Sequence, residues 1–359
     1  MNIEKFLRRK IEGTLPQKIF RRFKDFIALN FPNLYEKIWR IRKGVKYTDC
    51  GENFLVVMKN SPPILRPQKD FDFSLVLPLD FSTKISARRV AAIIHIFYPE
   101  LAEEIKNLLY NVPAKIDIYI STVDAEKKSA IEKIFADFKL GTVTIKIFPN
   151  RGRDIAPAFI GFKDIYKNYD LCLHLHTKKS PHSTNRLFGW REFLYHNLLG
   201  SQEIVTGIFK IMENPRVGIV FPQYFSPIRL SINWGENYLL TKKFLSRLGI
   251  EIDMPNLLEF PAGSMFWFKP KSLAPIFESA LTIEDFPAEL GQTDGTLAHA
   301  IERAFLYIAE SAGYTWIKII SRQSENGNMP ALKSFSEDEL NSNIKKICKS
   351  VSRKNNLGS

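Results

Sequence analysis

Cysteine is scarce in this sequence. Cys50, Cys172 and Cys348 are the three in 359 residues, far apart and in no ligand spacing. That excludes a disulfide framework or a cysteine zinc knuckle and points to a reducing compartment. Long apolar runs are missing as well: no stretch reaches the length that spans a bilayer, and no signal peptide is evident. The expectation is a cytoplasmic protein, or one peripheral on the inner face of the plasma membrane. Net charge is nearly absent from the middle of the chain. Of the formal +13, residues 1–46 carry +9 and residues 331–359 carry +3, leaving +1 for 47–330. A nucleic-acid protein with its binding face in the core is thereby disfavoured.

What the chain does have is bulk. Its 28 phenylalanines argue for a large apolar interior or a membrane-facing surface, and its length allows one large core or two modest ones. Residues 1–46 mix the two features. Ile19, Phe23, Phe26 and Ile27 form one helical stripe among Lys18, Arg21, Arg22 and Lys24. Such a basic amphipathic helical region can lie on an anionic membrane surface, or pack on the core with its charges in water. Pro16 and Pro32 divide it. Residues 47–86, with Pro62, Pro63, Pro67 and Pro78, read as a linker or wrapping segment.

From 87 to 325 strand and helix patterns alternate. Expected strands are Val90–Tyr98, Lys115–Ser121, Val143–Phe148, Asp170–His176, Val217–Phe221, Glu259–Lys269 and Thr315–Ile320. Expected helices are Glu100–Leu109, Ala125–Phe138, Asp154–Tyr169, Phe188–Leu199, Gln202–Glu213, Trp234–Leu248 and Asp294–Ser311. This spacing predicts an α/β fold with a mainly parallel, Rossmann-like sheet flanked by helices. Residues 326–359 read as a loosely held polar tail.

The stretch 143–180 organises the rest. A short β-rich run is broken by Asn150 and Gly152, Asp154 is placed as an N-cap, Pro157 suits a first helical turn, and a second strand ends in His174, His176, Thr177, Lys178 and Lys179. Open α/β sheets bind ligands outside the carboxyl ends of their strands. Arg151, Arg153, Lys178 and Lys179 would meet there beside a helix N-terminus and could hold an anion, unless they are two solvated basic loops.

His174 and His176 share a face of the strand and could bind a metal. Two following lysines oppose a divalent cation, however, and no second cluster of ligand spacing exists, so neutral donors and acceptors for a sugar or phosphate are preferred. In Phe260-Pro-Ala-Gly-Ser-Met-Phe-Trp267, Gly263 lets backbone approach a ligand and Trp267 could stack on a sugar, or the segment is a bulged core strand. Asp294 opens a helix after an acidic loop, either as a simple cap or as a general base. Glu302 and Arg303 would form an internal ion pair.

In order along the chain, NRGRDIAP (150–157), HLHTKKS (174–180), Trp190-Arg191, FPAGSMFW (260–267) and DGTLAHAIER (294–303) resemble the motifs of the rhamnan synthesis protein F family of bacterial polysaccharide-assembly proteins. The resemblance covers about 88–325. It implies a GT-A-like glycosyltransferase that moves L-rhamnose from dTDP-β-L-rhamnose to a growing, lipid-linked cell-surface glycan of O-antigen, capsule or rhamnan type. GT-A-like enzymes carry a DxD motif for a divalent metal at the end of the fourth strand, where this chain has His174-Leu-His-Thr-Lys-Lys179. Metal-independent, inverting transfer is therefore expected, with no cofactor. In the implied scheme Asn150, Arg151, Arg153, Asp154, His174, His176, Lys178 and Lys179 hold the nucleotide sugar and its diphosphate. Trp190, Arg191, Gly263, Trp267 and His299 line the sugar or acceptor pocket, and Asp294 is the catalytic base. Competing readings are a metal-dependent hydrolase using His174 and His176, and a non-catalytic membrane scaffold worked by residues 1–46.

Overall fold

A computed structural model describes residues 73–177, 187–252, 258–292, 294–325 and 331–356. The predicted basic region 1–46, and with it Lys178 and Lys179, lies outside the described residues.

Among the described residues nine strands form one sheet: β1 (Ser74–Leu77), β2 (Val90–His95), β3 (Ile116–Thr122), β4 (Val143–Ile147), β5 (Leu171–His176), β6 (Val217–Pro222), β7 (Phe266–Phe268), β8 (Thr315–Ser321) and β9 (Ala331–Leu332). Their order is β4-β3-β2-β5-β7-β6-β8-β1-β9. Only β7 runs antiparallel to its neighbours; every other pairing is parallel. The mainly parallel α/β sheet read from the sequence is observed. β2 and β6, buried at every residue, read as continuous apolar runs because helices cover both faces of a parallel sheet.

The helices are α1 (Ala102–Leu109), α2 (Ala125–Phe135), α3 (Trp190–Leu199), α4 (Gln202–Ile211), α5 (Tyr238–Arg247), the single turn α6 (Ala274–Phe277), α7 (Leu297–Ser311) and α8 (Glu337–Asn356). Three start at side-chain caps: Asp124 accepts from the Lys127 N–H at 2.8 Å, Ser201 from that of Ile204 and Ser336 from that of Glu339. The aromatic interior sits around β7. Phe266 and Phe268 pack with Phe159, which also meets Phe305 of α7 at 4.7 Å between ring centres. Trp267, between them in sequence, points to the opposite face against Phe209 of α4. Period-two alternation thus sends β7 side chains to opposite faces of the sheet.

Four differences from the sequence reading matter. Residues 47–86 contain β1, a buried strand between β8, at Ser74↔Lys318, and β9. The expected helix 154–169 is a rare π-helical segment, Ala156–Gly161, followed by a 3-10 segment, Lys163–Asn168. The expected strand 259–269 shrinks to Phe266–Phe268, because Gly263 and Ser264 take left-handed φ values of 91° and 55°. The expected loose tail instead forms β9 and α8, whose Leu340, Ile344 and Ile347 are buried. Among the described residues no helix is long and apolar enough to cross a membrane.

Candidate functional site

The chain runs from β2 outward to β3 and β4, then returns to place β5 on the other side of β2. Such a reversal splays the connections apart and leaves a crevice at the carboxyl ends of the two strands. His95 and His176 are register partners there. Thr177 ties the ends together: its hydroxyl accepts from the Phe97 and Tyr98 N–H groups at 3.0 and 3.1 Å, and its own N–H donates to the His95 carbonyl. A cavity of about 880 Å³ opens at this point. Of the site residues read from the sequence, Asn150, Arg153, Asp154, His176, Trp190, Gly263, Asp294 and His299 line it.

Two left-handed turns shape the wall. In the first, Gly152 (φ 63°) and Arg153 (φ 54°) lead into Asp154. A Cβ on Gly152 would stand 2.5 Å from the Phe286 ring and 2.6 Å from the Ala156 methyl, so both φ and space call for glycine. Arg151 donates to the Phe286 carbonyl at 2.8 Å, Arg153 pairs with Glu289 at 3.4 Å and also donates to the Gln292 carbonyl, and the Glu289 N–H donates to the Asn150 carbonyl. The two arginines clamp segment 286–292 onto the turn. Arg151 is thereby turned away from the cavity, a correction to its expected diphosphate role. Asp154 caps no helix through its side chain.

In the second turn, the Glu302 carboxylate accepts from the Gly263 N–H and the Ser264 hydroxyl, both at 3.1 Å, and lies 3.7 Å from Arg303. The Gly263 carbonyl accepts from His176 Nε2 at 2.8 Å, which fixes that proton on Nε2. A Cβ on Gly263 would press on Leu194 and Trp190 at 2.9 and 3.2 Å. The glycine does permit a close approach, but of α3 rather than of open space.

Beneath the wall His174 is completely buried. Neither ring nitrogen has a hydrogen-bond partner of acceptable geometry; the Ser264 and Asp154 backbones lie near enough only to favour its protonation slightly. Its Nε2 is 3.7 Å from Asp154 Oδ2, itself buried and unpartnered. Burial pushes the His95 and His174 imidazoles down to about 4, against the pull of Asp154. Burial opposes charge on Asp154, but His176, His174 and His95 prevail and hold the carboxyl below its ordinary value. His95 and His174 are neutral near pH 7, so there they offer this carboxylate N–H polarity rather than full charge.

Asp294 reaches the cavity as part of a clasp. Its Oδ2 accepts from the Glu236 N–H at 3.1 Å, its Oδ1 from Asn237 Nδ2 at 2.6 Å, and Arg303 stands 3.7 Å away. His299 bonds Thr296 at 2.8 Å, and burial, with Arg153 nearby, lowers its pKa. Two expected pocket residues are elsewhere. Trp267 is fully buried and donates to the Leu198 carbonyl, so it is a core residue that no sugar can stack on. Arg191 points to Glu192 and, at 3.5 Å, to Glu104 of α1, linking helices rather than lining the cavity. Among the described residues no three His, Cys, Asp or Glu side chains are placed to hold a metal ion. The expected Glu302–Arg303 ion pair is present at 3.7 Å, whereas His95, the Arg153 pairing of Glu289 and the bonds of Glu302 to Gly263 and Ser264 were missed from the sequence. His95 alone carried a signal, a histidine closing the apolar strand VAAIIH.

The family model described as Rhamnan synthesis protein F matches residues 52–314. The chain belongs to the rhamnan synthesis protein F family. The uncharacterised protein WxcX of Xanthomonas campestris pv. campestris, in strains B100 and ATCC 33913, is 31% identical over 226 residues. That region is 62% of this chain and 32% of the relative, so the match spans about a third of the length of these curated proteins. In this rhamnan synthesis protein F member the family match takes in the cavity wall from His95 to Arg303.

Proposed function

We propose that this chain is a GT-A-like glycosyltransferase that takes a sugar from a nucleotide donor, with dTDP-β-L-rhamnose the first to try, and passes it to a lipid-linked glycan acceptor. One observation carries the reading: a cavity at the switch point between β2 and β5, walled by imidazoles, carboxylates and Trp190, on the fourth strand of the α/β run that starts at β2. The transfer is a direct displacement. An acceptor hydroxyl oxygen bonds to the anomeric carbon while the bond from that carbon to the diphosphate oxygen breaks. The nucleoside diphosphate leaves with the electron pair, a wall carboxylate takes the hydroxyl proton, and the anomeric centre inverts.

Charge on the departing diphosphate falls to side-chain cations instead of a metal: Arg153 at the wall, with Lys178 and Lys179 following β5 in sequence. Asp294 is the base that the family resemblance names, and each of its oxygens already accepts a hydrogen bond. The reaction is assigned to the cytoplasm, with residues 1–46 on the anionic inner membrane face.

The test is nucleotide release from a panel of sugar donors by purified protein, with acceptor membranes, in the presence and absence of EDTA. Release from one donor that survives EDTA and is lost in Lys178→Ala is expected. Release abolished by EDTA would return His174 and His176 to metal duty, and no release from any donor would remove the transferase reading.

A further inference from the structure

Among the described residues four carboxylates line the cavity: Asp154, Glu289, Asp294 and Glu302. Three are occupied. Glu289 is paired with Arg153, Asp294 is held by the Glu236 N–H and Asn237, and Glu302 is held by the Gly263 N–H and Ser264. Asp154 alone accepts no hydrogen bond from another of the described residues. Buried carboxylates without donors are costly, and such a group in a native fold calls for an explanation. Glu289 also keeps one oxygen, Oε1, buried without a partner, but its other oxygen is paired with Arg153; His174 has neither ring nitrogen in a hydrogen bond of good geometry in a completely buried position, and it stands 3.7 Å from Asp154.

The surroundings hold this pair in place rather than relieve it. Arg153, directly before Asp154, accepts a left-handed backbone, and its turn is clamped through Arg151 and Glu289. Phe159 and Phe266 pack edge-on against the His174 ring and fix its plane. Backbone strain that the surroundings over-determine is characteristic of working sites.

Resting on the transferase reading, we propose that Asp154, rather than Asp294, is the base that takes the acceptor-hydroxyl proton, and that His174 is a positioning residue that donates to it from behind. Asp154 Oδ2 faces the sealed imidazole, which leaves the other oxygen for the cavity. Hydrogen bonds at catalytic groups are often long without substrate and tighten when it binds. A shift of about 1 Å brings His174 Nε2–H into bonding range of the carboxylate. The titratable groups facing the pair are His95 from β2 and His176 from β5, beside Arg153 in the preceding turn. The proton leaves the hydroxyl oxygen as that oxygen attacks, and ends on the Asp154 carboxylate.

Two measurements on the full chain test this. The first is steady-state turnover of dTDP-β-L-rhamnose, or of whichever donor the panel identifies, with acceptor. Asp154→Asn should cut kcat by roughly 100-fold or more, the usual share of a general base, with donor KM changed by less than about threefold. His174→Phe removes the donor behind the carboxylate and should move the acid limb of the kcat profile to higher pH, while His174→Gln, which keeps an N–H, should restore it. A loss in Asp154→Asn carried by KM alone, or an acid limb unmoved in His174→Phe, would overturn the assignment. The second needs no substrate: titration of the His174 ring by ¹⁵N NMR. Its inflection near pH 4 should move lower in Asp154→Asn, which loses the attraction of the carboxylate. An inflection that stays put breaks the pair even if the enzyme is active. A wild type that turns over no donor but shows the NMR shift would retain the pair and refute the transferase reading and the base role with it.

Discussion

At the scale of single residues, the site depends on backbone that few side chains tolerate. Gly152 and Gly249 both have positive φ, 63° and 72°. They differ in what a methyl group would meet. At Gly249 nothing lies within 4 Å, whereas at Gly152 the Phe286 ring and the Ala156 methyl are inside any allowed contact. Gly249→Ala should therefore cost only the left-handed penalty, about 1–2 kcal/mol. Gly152→Ala adds overpacking to that penalty, for a total of about 2–5 kcal/mol, and should also displace Asp154. Urea denaturation of the two variants checks the difference; equal losses would show that the crowding at Phe286 relaxes freely. Residue-level roles were also where the sequence misled. Arg151 and Arg153 are two positions apart and chemically alike. Which one faces the cavity is decided by the two left-handed residues between Arg151 and Asp154, and sequence spacing does not encode that.

At the scale of elements, strands with strong local signals were legible and those made by distant partners were not. VAAIIH, IDIYIST and LCLHLH are β-rich runs closed by turn residues, and the structure places strands on each. Ser74–Leu77 is four residues in a proline-rich stretch, and its place is set by Lys318 to Ser321, over two hundred residues away. Nothing local announces such a pairing. The helix Glu337–Asn356 carries Leu340, Ile344 and Ile347 at a helical spacing, a legible stripe submerged in charge. Lys210 reaches Glu337 at its start at 2.7 Å. Because Ile344 is 2% exposed, Ile344→Ala should lower stability by about 2–5 kcal/mol, as truncation in a core does. A tail resting loosely on the surface would show almost no change, and chemical denaturation separates the two.

For the whole molecule, the buried imidazoles link stability to pH. His95 and His174 titrate near 4 in the folded chain against an ordinary 6.5. Their folded values are depressed, so the unfolded chain binds protons more readily between those limits. The stability they contribute is complete above about pH 6.5 and is lost as pH falls toward 4. Each can give a slope of up to about 1.4 kcal/mol per pH unit in that window. Asp154, also held below its ordinary value, extends the loss in the same direction at lower pH, below its unfolded value of 3.8. His299 is lowered too and adds to the upper part. Urea midpoints measured between pH 7.5 and 4.5 should therefore fall steeply below 6.5. His174→Phe keeps a ring in the same aromatic pocket but removes one titrating group, so its curve should be flatter than wild type by up to one proton. Parallel curves would mean that His174 is not held neutral by burial, and the slope would then belong to His95 and His299.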